Sequence, residues 1–79
     1  MEFDYTRNQG EKRTYHVNLT LMKRTETGEF TYSALIHCGG DYRGPAKIWP
    51  LMSTTSEAAE LEAISLVKRD IEDLVGIDE

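Results

Sequence analysis

From Ser53 to Ile77 the chain carries apolar residues at three- and four-residue spacings between a start signal and a stop signal, and no other stretch constrains the fold as tightly. Thr54 stands three residues before Glu57. At that spacing a threonine hydroxyl accepts from the acid's backbone N–H while the carboxylate reaches back to the threonine N–H. Gly76 is placed to take the left-handed conformation that closes a helix, with Ile77 packing back on Ile71. Between these ends Leu61, Ala63, Ile64, Val67, Ile71, Leu74 and Val75 fall on one side at 3.6 residues per turn, and Glu62, Ser65, Arg69, Glu72 and Asp73 on the other. The pattern predicts a helix over residues 54–75. A lone helix is marginal in water, so its stripe needs a partner surface. The stripe is too wide for a strict heptad seam and Lys68 interrupts it, which favours packing on a core over a helix-mediated oligomer.

Residues 15–52 supply that surface. Tyr15, Val17, Leu19 and Leu21 alternate with His16, Asn18, Thr20 and Met22, the period of a half-buried strand. After a polar connection containing Gly28, the residues Phe30, Tyr32, Ala34, Ile36 and Cys38 alternate with Thr31, Ser33, Leu35 and His37, which predicts a hairpin. Pairing Lys23 with Phe30 sets Leu21 against Tyr32, Leu19 against Ala34, Val17 against Ile36 and Tyr15 against Cys38. A one-residue slip would put the two apolar sets on opposite faces, so the parity is tightly specified. Residues 39–45 read as a glycine-rich turn and Ala46 to Met52 as a third strand, at a sheet edge because Pro50 donates no ladder bond. Its parity predicts Ala46, Ile48 and Met52 toward the helix and Lys47, Trp49 and Leu51 away from it. Residues 1–14, where Phe3 and Tyr5 alternate with acids, read either as a short edge strand or as a loose arm.

The expected architecture is therefore a single α+β domain spanning residues 1–79. A three-stranded antiparallel sheet, with a short N-terminal fourth strand as the alternative to an arm, packs on one long C-terminal helix. A chain this short has a thin core, and self-association or a partner would add stability. The net charge is −5, and it is uneven: residues 54–79 carry eight acids against Lys68 and Arg69, whereas residues 1–53 are close to neutral. An acidic helix repels a phosphate backbone. With one cysteine and no apolar run near the roughly 20 residues of a membrane span, a cytoplasmic protein without membrane contact is expected.

Few residues point to chemistry. His16 and His37 face each other across the predicted hairpin, but zinc takes three or four ligands and this face of the hairpin offers no obvious carboxylate or thiolate, so two surface histidines are expected. Neighbours on a strand point to opposite faces, so His37 cannot activate Cys38. Nucleophile-elbow patterns, a second cysteine and paired-histidine helix motifs are absent from the sequence, and neither catalysis nor a cofactor is expected. The glycine-rich stretch 39–44 lacks the Lys-Ser/Thr ending of a phosphate loop and leads into a strand. More informative is an apolar group on the sheet face away from the helix, Trp49, Leu51, Leu35 and Met22, which marks a protein interface unless the N-terminal arm, with Phe3 and Tyr5, covers it or the edge strand twists so that Trp49 caps the core. Lys12, Arg13, Lys23, Arg24, Arg43 and Lys47 are the candidate nucleic-acid contacts, with Trp49 stacking on a base.

Over roughly residues 15–75 the order of elements resembles the last part of the double-stranded-RNA-binding domain. That family opens its final helix with a Ser-Lys-Lys-x-Ala-type motif, and the corresponding run here is Thr55-Ser56-Glu57-Ala58-Ala59-Glu60, acidic where the family carries lysines. The chain is also similar to the HicB-like antitoxins, in Gly28-Glu29-Phe30-Thr31-Tyr32 and in the helix entry Thr54-Thr55-Ser56-Glu57-Ala58. Small bacterial proteins of the same strand-and-helix plan are a further comparison. The first resemblance implies RNA binding and the second a regulatory protein that binds a protein partner. The combined expectation is a small non-enzymatic interaction or regulatory module, homodimeric or bound to another protein, with nucleic-acid binding as the alternative.

Overall fold

A computed structural model describes residues 1–45, of which Pro45 by its backbone only, and residues 50–77. The chain forms β1 (Glu2–Thr6), β2 (Thr14–Lys23), β3 (Phe30–Cys38), β4 (Asp41–Pro45) and α1 (Ser56–Asp73). The four strands make one antiparallel sheet in the order β1-β2-β3-β4, with the helix on one face, an α+β arrangement.

The central hairpin adopts the expected register, from Lys23 opposite Phe30 through Val17 opposite Ile36 to His16 opposite His37. Gly28 at φ 72° makes the connection, its N–H donating to the Arg24 carbonyl, while Arg24 N–H donates to the Glu29 carbonyl. Tyr15, Val17, Leu19, Tyr32, Ala34 and Ile36 are buried beneath the helix in one core cluster. At the N-terminus the alternative is resolved in favour of a strand. β1 pairs with β2, setting Phe3 against Val17 and Tyr5 against Tyr15, so both rings join the helix side. There the Lys68 ammonium lies 6.0 Å from the Phe3 ring centre and 5.7 Å from that of Tyr5.

The second hairpin differs from expectation. Gly39 and Gly40, at φ 60° and 86°, form a two-residue turn between the paired Cys38 and Asp41. Such a turn needs left-handed backbone at both central positions, which a Gly-Gly pair accepts without strain. The strand thus begins at Asp41, inside the stretch expected to be a loop. The register shifts between Ile36 and His37, which face Gly44 and Tyr42, so Arg43 is the extra residue of a bulge. The expected strand from Ala46 to Met52 lies partly outside the described residues. Its described end runs along the same edge of β3, with Pro50 bridging Thr31 and Leu51 N–H donating to the Phe30 carbonyl at 2.8 Å.

That bridge corrects the predicted parity. Thr31 faces away from the helix, so Pro50 does too, and Leu51 turns inward. Leu51 is 6% exposed in the core, whereas Met52, expected inside, is 88% exposed.

The helix is shorter than expected at both ends. Its N-cap is Thr55, whose hydroxyl accepts from Ala58 N–H at 3.3 Å, one residue later than the Thr54–Glu57 box. Glu62, about two turns beyond the cap, holds the entering chain, accepting from the N–H groups of Met52 and Ser53 and from the Ser53 hydroxyl. These bonds lower the Glu62 pKa, with Met52 the largest cause. At the other end Leu74 takes the left-handed cap conformation, φ 54° and ψ 45°, ahead of Gly76 at φ 70°. The buried stripe is Ala59, Ala63, Val67, Asp70 and Ile71. Leu61 is exposed, because two residues from Ala59 is about 200° around a helix. Val75, beyond the cap, is also exposed.

Candidate functional site

Among the described residues, no element covers the sheet face away from the helix. Expected there, Met22 is 44% and Leu35 46% exposed, and Tyr42 of β4 is exposed on the same face opposite His37. They lie on a diagonal across β2, β3 and β4, with Thr20 and Ser33, themselves a cross-strand pair, between the first two. The N-terminal segment cannot cover this face, because β1 extends the sheet sideways and sends Phe3 and Tyr5 to the other side. Of the four residues expected to make the interface, Met22 and Leu35 both lie on this face but are separated by Thr20 and Ser33, Leu51 is withdrawn into the core, and Trp49 lies outside the described residues.

His16 and His37 are opposite each other as expected, but the surroundings of His16 are not. β1 brings two carboxylates onto it: Asp4 Oδ1 is 2.8 Å from Nδ1 and Glu2 Oε1 is 3.1 Å from Nε2. Asp4, then Glu2, raises the His16 pKa above its ordinary value. These acids were missed because they lie on the strand that the sequence left open as an arm. The two carboxylates engage different ring nitrogens and do not share a point with the imidazole. Instead of closing on His16, the His37 ring meets Tyr42 edge to face, centres 5.5 Å apart. Among the described residues, no group of three or more His, Cys, Asp or Glu side chains is arranged to hold a metal ion. Cys38 is half-buried at the margin of the core.

The candidate nucleic-acid contacts do not converge. Lys12 and Arg13 sit in the β1–β2 connection and Lys23 and Arg24 at the far end of β2, a ten-residue strand spanning about 33 Å. Arg13 pairs with Glu11, Lys23 lies over the Phe30 ring at 5.6 Å, and Arg43 in the bulge is 3.9 Å from Asp41. Lys47 lies outside the described residues. A hollow of about 260 Å³ lined by Met1, Leu19, Leu21, Ser56 and Glu60 is smaller than the roughly 300–1,000 Å³ of small-molecule sites. A wider one of about 430 Å³ is a polar concavity formed by four successive residues, Lys23 to Glu26.

The strongest polar constellation is structural. Arg7, 8% exposed, donates from Nε to the carbonyls of Ile71 (3.1 Å) and Glu72 (3.0 Å) and from Nη2 to that of Glu72 (2.7 Å). The Glu72 carboxylate accepts from Asn8 N–H at 2.9 Å and from the Tyr5 hydroxyl at 3.0 Å. Asn8 is the largest cause of a lowered Glu72 pKa, while burial, then Glu72, raises that of Tyr5. Sequence reading placed Glu72 on the solvent side and gave Arg7 no role. The available signal was a last helical turn without a basic residue, whose carbonyls still need donors.

The site is thus an exposed face of an antiparallel sheet backed by one helix. Comparison with family models, with curated proteins and with solved structures gives no match.

Proposed function

We propose that this chain is a small non-enzymatic interaction module in the cytoplasm, and that its open sheet face docks a protein, either a second copy or a regulatory target. The observation that carries the reading is the set Met22, Leu35 and Tyr42, each 44–56% exposed, strung across three strands on a face that no described element covers. Exposed apolar and aromatic side chains interspersed with Thr and Ser suit a protein interface. A protein is favoured over nucleic acid because the cations are spread over opposite ends of β2 and the face is flanked on β1 by the acids Glu2 and Asp4. The antitoxin-like resemblance is one specific form of this reading. Among the described residues, no helix is long and apolar enough to cross a membrane.

The test is capture from the source lysate, with and without nuclease, using wild-type protein and Leu35→Asp as baits, alongside light scattering of each purified bait. The reading expects a nuclease-resistant protein partner, or a dimer, lost in Leu35→Asp while the helical circular dichroism is unchanged. Capture that survives the substitution would refute this surface. Capture abolished by nuclease and weakening steeply from low to physiological salt would transfer the function to nucleic acid.

A further inference from the structure

The imidazole of His16 stands between two carboxylates on the neighbouring strand, each oriented on a different ring nitrogen. A carboxylate oxygen accepts. A neutral imidazole carries one N–H donor and one bare nitrogen, so it satisfies one of these partners and turns a lone pair toward the other. The doubly protonated imidazolium donates to both. Because the carboxylates belong to β1 and the histidine to β2, the second bond is a bond between strands, at the edge of the sheet.

We propose that His16 is a protonation-dependent latch that fastens the N-terminal strand β1 to the sheet through Glu2 and Asp4. The groups facing it are those two acids from β1 and His37 from β3, behind which stands Tyr42 of β4; the helix packs against the opposite face of the sheet. Held through its bonds to Asp4 and Glu2, His16 titrates above the ordinary histidine value of 6.5. A folded-state pKa raised in this way means that the clamp is complete below the unfolded value and is lost as pH rises through the raised one. Protonation of His37 opposes the clamp by placing a second cation across the strand pair. The ends of β1 are held independently, by the Met1 amino group on the Leu19 carbonyl and by Tyr5, Arg7 and Asn8 on the helix terminus. Losing the latch therefore loosens the strand without unfolding the domain.

Amide hydrogen exchange read by NMR, expressed as protection factors at about pH 5.5 and about pH 8.5, tests the latch. In the wild type, the β1–β2 amides should lose about two- to fivefold protection at the higher pH, the range for one exposed charge-assisted contact. The β2–β3 amides in the same spectra should hold steady. The drop should vanish in the double variant Glu2→Gln/Asp4→Asn and in His16→Gln, which keeps an amide donor but cannot titrate. Any of three results overturns the proposal: protection of β1 independent of pH in the wild type, an equal loss in β2–β3, or the same loss in either variant.

Discussion

At the scale of single residues, two buried positions show how narrowly the space is filled. Gly44, at φ 127°, lies so close to the helix terminus that a Cβ would stand 2.5 Å from the Gly76 carbonyl oxygen. Backbone strain and a clash with backbone that cannot step aside act together, so Gly44→Ala should cost about 3 kcal/mol. A small core supplies about 3–5 kcal/mol in all, so urea denaturation should find this variant marginally stable, with a midpoint shifted close to zero denaturant. Tyr32 behaves in the opposite way. Its ring is fully buried, and its hydroxyl has no hydrogen-bond partner among the described residues. Burial, with Asp70 adding to it, pushes its pKa up to about 12. Tyr32→Phe keeps the packing and removes an unpaired hydroxyl, so its unfolding free energy should match or exceed that of the wild type, by up to about 1 kcal/mol. A loss of more than that would mean the hydroxyl is paired. The aromatic at 32 was legible from strand alternation; the lack of a partner for its hydroxyl was not, since satisfaction depends on what lies across the core.

At the scale of elements, the helix and β1 complete each other. The last turn of α1 contains Glu72 and Asp73 but no basic residue, and a helix C-terminus leaves carbonyls without intrahelical donors and favours positive charge. Arg7 supplies both from outside, its planar head reaching two successive carbonyls. Arg7→Ala should therefore lower stability by about 2–3 kcal/mol, the scale of charge-assisted bonds lost together with a packed stem. Arg7→Lys should recover less than half, because an ammonium cannot present the guanidinium fork. Chemical denaturation gives both values, and exchange at the amides of the last helical turn should show fraying there first. Equal stability of all three proteins would remove the capping role. The helix, the central hairpin and its register were legible because each is encoded by a local period. The cap was not, since Arg7 and Ile71 are 64 residues apart and neither carries a local mark of the other.

For the whole molecule, the shifted groups set opposite pH limits. Glu62 and Glu72 are held below the ordinary 4.5 by hydrogen bonds, so what they contribute is complete above that value and is lost as pH falls through their lowered ones. His16 is held above 6.5, so its contribution is complete below that value and lost as pH rises. The thermal midpoint should peak between pH 4.5 and 6.5, where all three contributions are present. A scan of melting by circular dichroism checks this, and a midpoint still rising toward alkaline pH would contradict it. The amino-acid sequence by itself determined the α+β class, the inward and outward faces of β2 and β3, and the existence of the C-terminal helix. Periodicity dictates which side of an element is apolar, and a register error would expose that side. The tertiary structure alone decided that residues 1–14 contain an edge strand and that β4 begins at Asp41. It decided too that Leu51 points inward while Met52 points out, and that His16 meets Glu2 and Asp4. In these segments the local pattern is compatible with more than one pairing. What selects among them is the neighbour: the edge of β2 for β1, the outward Thr31 for Pro50, and the open carbonyls of the helix for Arg7.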